Sequence, residues 1–517
     1  MNFEDIISEK ITYDALITLI PVKQTIMVYR VTKRIHDYLK SIKFGIHVEI
    51  NKKFLDISIL LHKIEELNKN ISIRSIKFRD VLNEAIVKEL FNPEYCKITS
   101  LNFSDNNLGV NIKLITNLLK NNTTLTHLNL SNTKLEKSGG YKIVKALENN
   151  RTITSLDLGE NNIDASEWYN IDNDTGLVLV IDKYTKAITK LIETNTTIVK
   201  LNLDKNYMGE YDIVKFSEAL CSNTTITNLN LSKNCLRYNG AIAIGDVLSK
   251  NTKLANLNLS HNWLEKCGTL AIAKSLNTNT TLRSLNLSDN HMRNKDFDSE
   301  IGIIAVVDAL RTNMTITELN LRNNKIGLHG AIALKEALCV NRTLKILNLE
   351  DNMIGLHGAI EFKEVLCVNC TLKILNLGSN ELGEDGVCNI AEALHVNTTL
   401  ECLDLKDNKI ELKGAIALKE ALYVNETLKI LILTKNNLRG HAIVEIANAL
   451  YVNTTLKILN LYNTKLGNHG LHIIVDALYN NNTITSLNIG CNNLYENEIK
   501  LAIEALRENR TLTEIIT

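Results

Sequence analysis

The sequence predicts an α/β solenoid built from repeated strand–helix units, and three observations support this fold class. The pattern L-x-x-L-x-L-x-x-N-x-L, with Ile or Thr replacing some consensus residues, starts at 14 positions, and a fifteenth copy is truncated. Of the 14 intervals between starts, 11 are 28 residues long and the others are 27, 34 and 45. The 517 residues include only two prolines, which leaves no Pro-rich linker. The starts are Ile98, Leu125, Ile153, Ile198, Ile226, Leu254, Leu282, Ile316, Leu344, Leu372, Leu400, Leu428, Leu456, Ile484 and Leu512.

Each unit contains one strand and one helix. The L-x-L segment alternates with period 2, so Leu347 and Leu349 should point into the core from a strand. The second half, for example residues 330–338, has apolar residues at helical spacing. Neither element can bury its apolar face alone, so neighbouring units stack into a parallel sheet with a row of helices opposite. Because the helix row is wider than the strand row, we expect the stack to bend into an arc.

Two recurrent polar positions should hold neighbouring units together. The turn position is Asn in 12 of 14 complete units and Thr in two, Thr133 and Thr464. An asparagine there can bond the backbone of the neighbouring turn, so we expect a ladder. The corner from helix to strand reads Asn-x-Thr in 13 of 14 units, formally a glycosylation signal, which we interpret as a structural corner. A glycine recurs near the helix start, as at Gly358, where we expect helices to approach closely.

These residues resemble the leucine-rich repeat, specifically the 28-residue intracellular type of ribonuclease inhibitor, over residues 98–517. The resemblance implies a right-handed horseshoe with a concave parallel sheet and convex helices, whose concave face binds another protein. It also implies two functional alternatives, a free-standing inhibitor or sensor of a protein ligand and a GTPase-activating protein of the Ran type, whereas the role of a substrate receptor depends on the N-terminal segment described next.

The first 97 residues do not follow the full repeat. Ile73-x-x-Ile76-x-Phe78 is similar to a degenerate opening repeat, and residues 43–97 are expected to form a helical segment and this N-terminal cap. Residues 1–42 are similar to the latter part of an F-box, which implies docking on the adaptor of a cullin-type ubiquitin ligase. The residues that carry this resemblance and the implied adaptor contact are Leu16, Leu19, Pro21 and Val31. A plain helical cap is the alternative.

The composition limits the partners. The chain has 58 Lys and Arg against 58 Asp and Glu, so no excess of positive charge favours nucleic acid or an anionic membrane. For the N-terminal segment, contact with RNA or a membrane through the basic residues 23–53 is the third possibility, after the F-box and the helical cap. The start lacks the features of a secretory signal and no apolar run reaches about 18 residues, so we expect an intracellular, cytoplasmic protein.

Motifs for catalysis and cofactors are missing from the sequence. There is no G-x-x-x-x-G-K-[ST], H-E-x-x-H, G-x-S-x-G or G-x-G-x-x-G pattern. Cys367-x-x-Cys370 has no second cysteine pair to complete a zinc site. We therefore expect a non-enzymatic protein with no catalytic residue, no cofactor and no metal site.

The first outward position of the strand divides the repeats into two groups. It is polar in the first seven units and apolar in units nine to thirteen. With strands roughly 5 Å apart, these side chains form an apolar stripe on the order of 20 Å long. We interpret it as a partner-binding patch, although a ladder that only stabilises the sheet is the alternative. The stripe consists of Ile346, Ile374, Cys402, Ile430 and Ile458, and Ile432 extends it.

Two insertions interrupt the repeats: 17 extra residues between units three and four and six between units seven and eight. Both follow the turn position, so they should emerge on the same rim. The first contains Trp168 and Tyr169, which are candidate binding residues if the insertion is more than a neutral loop.

Overall fold

A computed structural model describes residues 46–51, 73–79, 98–109, 111–163, 183–290 and 299–517. The chain divides into two compact units, Met1–Cys235 and Leu236–Thr517. From Ser100 onward, parallel strands alternate with helices along the described parts of both units. This arrangement confirms the predicted α/β repeat solenoid. None of the helices in the described ranges is long and apolar enough to cross a membrane.

The unit Met1–Cys235 contains a parallel sheet in which each strand pairs with the next one along the chain. The strands are β1 (Ile46–Asn51), β2 (Ile73–Arg79), β3 (Ser100–Asn102), β4 (His127–Asn129), β5 (Ser155–Asp157), β6 (Lys200–Asn202) and β7 (Asn228–Asn230). The helices described for this unit are α1 (Ile112–Asn121), α2 (Glu136–Leu147), α3 (Lys183–Thr194) and α4 (Glu210–Ser222).

The unit Leu236–Thr517 repeats this order with ten parallel strands paired in sequence. The strands are β8 (Asn256–Asn258), β9 (Ser284–Asn286), β10 (Glu318–Asn320), β11 (Ile346–Asn348), β12 (Ile374–Asn376), β13 (Cys402–Asp404), β14 (Ile430–Ile432), β15 (Ile458–Asn460), β16 (Ser486–Asn488) and β17 (Glu514–Ile516). The helices are α5 (Arg237–Lys250), α6 (Glu265–Leu276), α7 (Ser299–Ala309), α8 (Gly327–Leu338), α9 (Gly355–Val368), α10 (Gly383–Leu394), α11 (Leu412–Val424), α12 (His441–Val452), α13 (Gly467–Asn480) and α14 (Glu496–Ala505).

The repeat pattern places the elements as predicted from Ile98 onward. Every start, including the truncated one at Leu512, is followed two residues later by a strand. The helix predicted for residues 330–338 lies within α8, which begins three residues earlier. Leu347 and Leu349 are fully buried, as expected for the inward face of the strand. The leucines of each strand and the apolar face of the next helix therefore form the core.

The segment before Ile98 differs from the repeats. The proposed opening repeat at Ile73-x-x-Ile76-x-Phe78 lies in β2, which pairs in register with β3 through Ile76 and Leu101. Strand β1, which pairs with β2, was not predicted from the sequence. Leu16, Leu19, Pro21 and Val31 lie outside the described residues, and so do Trp168 and Tyr169.

The turn asparagines form the predicted ladder, shown here at Asn380, which is fully buried. Its Nδ2 donates to the carbonyl oxygens of Leu349 (2.8 Å) and Gly378 (3.0 Å). Its Oδ1 accepts from the backbone N–H groups of Asn352 (3.0 Å) and Ile354 (3.4 Å). One side chain thus satisfies four backbone groups, three of them in the preceding repeat. We call the series Asn324, Asn352, Asn380, Asn408 and Asn436 the asparagine ladder.

The corner asparagines are structural, as we interpreted them. Asn341 is fully buried, and its Nδ2 donates to the carbonyl oxygens of Leu310 (2.8 Å) and Asn313 (3.1 Å). Its Oδ1 accepts from the backbone N–H groups of Thr343 (3.0 Å) and Leu344 (2.8 Å). A glycan on Nδ2 would remove one of its two donor hydrogens and would have no room at this fully buried position, so this side chain serves the corner.

A side chain at the recurrent glycine near the helix start would clash first with a residue of the same helical turn. A Cβ added at Gly358 would lie 2.4 Å from Cγ2 of Ile354, four residues earlier, and 3.1 Å from Cβ of Ala331 on α8. The predicted close approach of neighbouring helices is therefore present, but the tighter contact comes from Ile354, the residue directly before α9.

Candidate protein-binding surface

The predicted apolar stripe is assembled on one face of the sheet. Strands β11 to β15 pair in register, so Ile346, Ile374, Cys402, Ile430 and Ile458 are successive Cα partners. We call these five side chains the isoleucine stripe. Glu318 of β10 precedes it and Ser486 of β16 follows it, so the stripe has a polar end on both sides.

Adjacent residues on these strands have opposite environments. Ile374 is 37% exposed, whereas the next residue, Leu375, is completely buried. The other four members of the stripe are half-buried, and the leucine that follows each of them is buried. The stripe therefore lies on the face of the sheet away from the core, where a protein normally places polar side chains.

Cys402 continues the apolar character of the stripe. Burial raises the pKa of its thiol to about 11, and the negative charge of Asp404 contributes further. The thiol is therefore protonated at neutral pH and behaves as a small apolar side chain. Its position between Ile374 and Ile430 keeps the stripe continuous.

The outward position two residues later is mainly structural. At Asn376, for example, Oδ1 accepts a hydrogen bond from the backbone N–H of Gly378 (2.8 Å). Asp404 does the same for Lys406 (2.8 Å), and burial raises the pKa of the Asp404 carboxyl. Ile432 stands at this position between Asp404 and Asn460, is half-buried, and widens the stripe by one apolar side chain.

A basic row, which sequence analysis missed, borders the stripe on the side where the strands begin. The residues directly before the stripe residues are Lys345, Lys373, Glu401, Lys429 and Lys457, a net charge of +3 from four lysines and one glutamate. We call the four lysines the basic row. Its signal in the sequence was the repeated Leu-Lys-Ile-Leu segment.

Glu401 interrupts the basic row and is held by its neighbours. Its carboxylate contacts Nζ of Lys429 (2.6 Å) and Nζ of Lys373 (3.2 Å). The hydrogen bond from Lys429, followed by that from Lys373, lowers the pKa of Glu401. Carboxylates that approach this border from a partner would therefore meet Lys345 and Lys457 most directly.

The opposite border of the stripe carries a compensated carboxylate. Glu350 has a largely buried side chain that contacts Nζ of Lys406 (2.6 Å) and Nε of Arg322 (3.3 Å). Two cations around one carboxylate leave no net negative charge on this border. The whole surface is therefore an apolar stripe in a basic to neutral frame.

The same position is polar in the unit Met1–Cys235, as predicted. Ser100, His127, Ser155, Lys200 and Asn228 are successive Cα partners on β3 to β7. Each of them is half-buried or exposed. The fold is the same at both places, so the repeat itself does not demand an apolar side chain here.

Among the described residues, no group of three or more His, Cys, Asp or Glu side chains has the arrangement of a metal site. Cys367 and Cys370 are both exposed free thiols.

Comparison with protein families gives a match to part of the repeat array. A family model described as "Leucine Rich repeat" matches eight segments of the chain, at residues 121–144, 149–166, 222–245, 278–296, 312–335, 340–363, 368–391 and 396–419. No curated protein matches the chain.

The solved structures that are similar to this chain include an internalin and a yeast protein complex. A crystal structure of the internalin InlF from Listeria monocytogenes has 19% sequence identity and a TM-score of 0.41, and the match covers 77% of this chain and 94% of that chain. The crystal structure of the Rad7 and Elc1 complex in yeast has 14% identity and a TM-score of 0.46, and the match covers 96% of this chain and 98% of that chain.

Proposed function

We propose that this chain is a leucine-rich repeat protein that acts as a non-enzymatic scaffold and binds a protein ligand through the isoleucine stripe. The observation that supports this proposal most strongly is that five apolar side chains lie in register on the outward face of five consecutive strands. An apolar ladder that only stabilises the sheet would be useful in every repeat, yet the unit Met1–Cys235 uses polar side chains at this position.

The frame of the stripe indicates the chemistry of the ligand. The basic row adds positive charge along one border, while Glu350 is neutralised on the other. A protein segment with an apolar ridge and carboxylates along one edge complements this surface in shape and charge. The ligand therefore belongs to the class of acidic, partly apolar protein surfaces.

The test is affinity capture with the full chain carrying Ile374→Lys and Ile430→Lys. Both side chains face away from the core, so the thermal midpoint should change little, while two buried charges at the centre of the interface should abolish recovery of the ligand. Quantitative mass spectrometry of the captured proteins measures the difference from the unsubstituted chain.

Ser155→Lys with Asn228→Lys is the matched control, because these residues occupy the same strand position in the polar repeats. A stripe ligand is a protein retained by this control and lost by the isoleucine variant. Equal recovery by both variants would contradict the proposal.

A narrower form of the proposal is a substrate receptor of a cullin-type ubiquitin ligase. It rests on the F-box resemblance of residues 1–42, with Leu16, Leu19, Pro21 and Val31 as the adaptor contacts, residues 43–97 as a capping segment and residues 98–517 as the ligand-binding domain. The cytoplasm is the compartment that this role requires.

Binding of the full chain to the purified ligase adaptor tests this narrower form. Pro21→Asp with Val31→Asp should abolish the binding, whereas the Ile374→Lys and Ile430→Lys variant should retain it. If the unsubstituted chain does not bind the adaptor, the receptor role is wrong and a free-standing inhibitor or sensor is the better description.

The other alternative is a GTPase-activating protein of the Ran type. A turnover assay that measures GTP hydrolysis by a Ran-type GTPase with and without the chain separates it from both binding roles. We expect no acceleration.

The rim insertion is a proposed secondary contact for the same ligand. Trp168→Ala with Tyr169→Ala should weaken recovery of the stripe ligand without abolishing it, because aromatic side chains at the edge of an interface add affinity to a central patch. Unchanged recovery would make the insertion a neutral loop.

A further inference from the structure

The most exposed row of apolar side chains in the unit Leu236–Thr517 lies where the helices end. Five valines, each directly before a corner asparagine, recur every 28 residues and are 49–60% exposed. They are more exposed than Ile374, the most exposed member of the isoleucine stripe. We call them the valine row: Val340, Val368, Val396, Val424 and Val452.

Tyrosines extend the valine row over three consecutive repeats. Tyr423, Tyr451 and Tyr479 follow one another at 28-residue intervals and are 43–60% exposed; the first two directly precede a valine of the row. Eight half-exposed side chains of this size present on the order of 600 Å² of apolar surface, near the roughly 800 Å² per partner of a standard interface. A surface of this extent is normally covered.

Opposite charges border the valine row on its two sides. On the helix side, an exposed glutamate stands four residues before the valine in four of the five repeats, as for Glu364 and Val368 on α9, so the two side chains are neighbours on one helix face. On the strand side, a lysine follows the valine by five residues in four of the five repeats, and Glu401 takes this position after Val396. Three repeats carry the full acid, valine and base order: Glu336, Val340 and Lys345; Glu364, Val368 and Lys373; Glu420, Val424 and Lys429.

We propose that the valine row is the docking surface for a second copy of this chain, related by a two-fold axis that runs parallel to the row. Rotation about such an axis lays one valine row along the other. It also exchanges the two sides, so the glutamates of each copy face the lysines of its partner. In these three repeats both charged borders become attractive at once, as an isologous interface requires, and Glu336, Glu364, Lys373 and Lys429 would add this contact to the ion pairs they form within their own copy.

The alternative two-fold arrangement is disfavoured by the same charges. An axis that crosses the row at right angles would place glutamates against glutamates and lysines against lysines. A contact of this limited area is also weak, so the dimer should form with a dissociation constant in the micromolar range. The valines lie outside the isoleucine stripe, but the lysines on their strand side belong to the basic row, so this dimer and the proposed ligand would share Lys345, Lys373 and Lys429.

Sedimentation velocity of the full chain between about 1 and 100 µM tests the proposal. The unsubstituted chain should convert from monomer to dimer over this range. Val396→Asp with Val424→Asp should raise the dissociation constant at least tenfold, because four carboxylates would enter the apolar contact. Ile360→Asp is the control, since Ile360 lies on α9, is 38% exposed and is outside the valine row.

A pair of charge reversals identifies a second copy as the occupant. Glu336→Lys with Glu420→Lys makes one variant, and Lys345→Glu with Lys429→Glu makes the other. Each variant alone should be monomeric at 100 µM, because like charges meet on both borders. An equimolar mixture should dimerise, because the reversed borders then complement each other.

Three results would overturn the proposal. The unsubstituted chain could remain monomeric at 100 µM, in which case the row faces a different partner or none. The dimer could survive Val396→Asp with Val424→Asp, which would place the interface elsewhere. The mixed reversals could fail to restore the dimer although circular dichroism shows both to be folded, which would exclude the two-fold arrangement.

Discussion

The asparagine ladder and the isoleucine stripe recur at the same interval and share four repeats, but the environments of their side chains are opposite. Asn380 is completely buried and bonds four backbone groups, whereas Ile374 is 37% exposed on the outward face. Regular recurrence alone therefore does not distinguish a structural row from a binding row. Burial and hydrogen bonding distinguish them.

Adjacent residues of a single strand show the same contrast between a buried and an exposed side chain. Leu375 faces the core and Ile374 faces outward, although both are aliphatic and adjacent. The inward position is leucine in nearly all repeats, while the outward position changes from polar to apolar between two groups of repeats. In a repeat scaffold, the inward position must stay the same to form the core, whereas the outward position can differ between repeats and form different surfaces.

The largest effect on stability is expected for the two adjacent residues of β12, one buried and one exposed. Leu375→Ala should lower the free energy of unfolding by about 3 kcal/mol, because it removes buried methyl groups and leaves a cavity. Ile374→Ala should cost less than about 1 kcal/mol, because its side chain is already partly in water. Urea titration followed by circular dichroism measures both. Similar losses for the two variants would mean that the stripe is part of the core.

A somewhat smaller effect is expected in the asparagine ladder. Asn380→Ala leaves two buried N–H groups and two carbonyl oxygens without their partner, so the repeat should lose about 2–3 kcal/mol. Asn380→Thr should cost less, since Thr133 and Thr464 occupy the same position and each donates to a strand carbonyl. Local hydrogen exchange at the amides of Asn352 and Ile354 measures the loss. Unchanged exchange rates in Asn380→Ala would show that the ladder is dispensable.

The smallest stability effect concerns the middle strand position of a polar repeat. Asp157 stands where most repeats have Asn, and burial raises the pKa of its carboxyl despite hydrogen bonds from Gly159 and Asn202. A raised pKa in the folded state means that ionisation is penalised at neutral pH and that this penalty disappears as pH falls through the folded pKa. Asp157→Asn should therefore stabilise the chain by a few tenths of a kcal/mol at pH 7.

The pH dependence supplies the control for Asp157→Asn. The advantage of the variant should shrink as the pH is lowered toward 3, where the native carboxyl is protonated. Thermal midpoints of both proteins at pH 7 and pH 3 test this. If the variant gained stability relative to the unsubstituted chain at low pH, the penalty for the ionised Asp157 carboxyl would not be the cause of the difference.

Much of the fold could be predicted from the sequence because the period, the leucines and the asparagines each satisfy a physical need of every unit. The stripe was also predictable, since period 2 decides which face Ile374 takes once Leu375 is assigned to the core. Strand β1 was not predictable, because Ile46–Asn51 lies outside the consensus.

The valine row and the basic row escaped prediction for another reason. Val368 ends α9 and continues its apolar spacing, so the sequence does not reveal that the corner leaves it exposed. Lys345 lies between a buried leucine and the stripe, where alternation alone does not assign a face. Exposure at such corners depends on how the chain turns between helix and strand.

The central claim is that the isoleucine stripe contacts a protein ligand, and site-specific photo-crosslinking tests it most directly. The full chain with Ile374→p-benzoylphenylalanine is irradiated in an extract of cells that express it, and the control carries the same residue in place of Ser284, at the same strand position of β9. We predict a discrete crosslinked protein at position 374 that is absent at position 284. The same products at both positions, or none at position 374, would contradict the account.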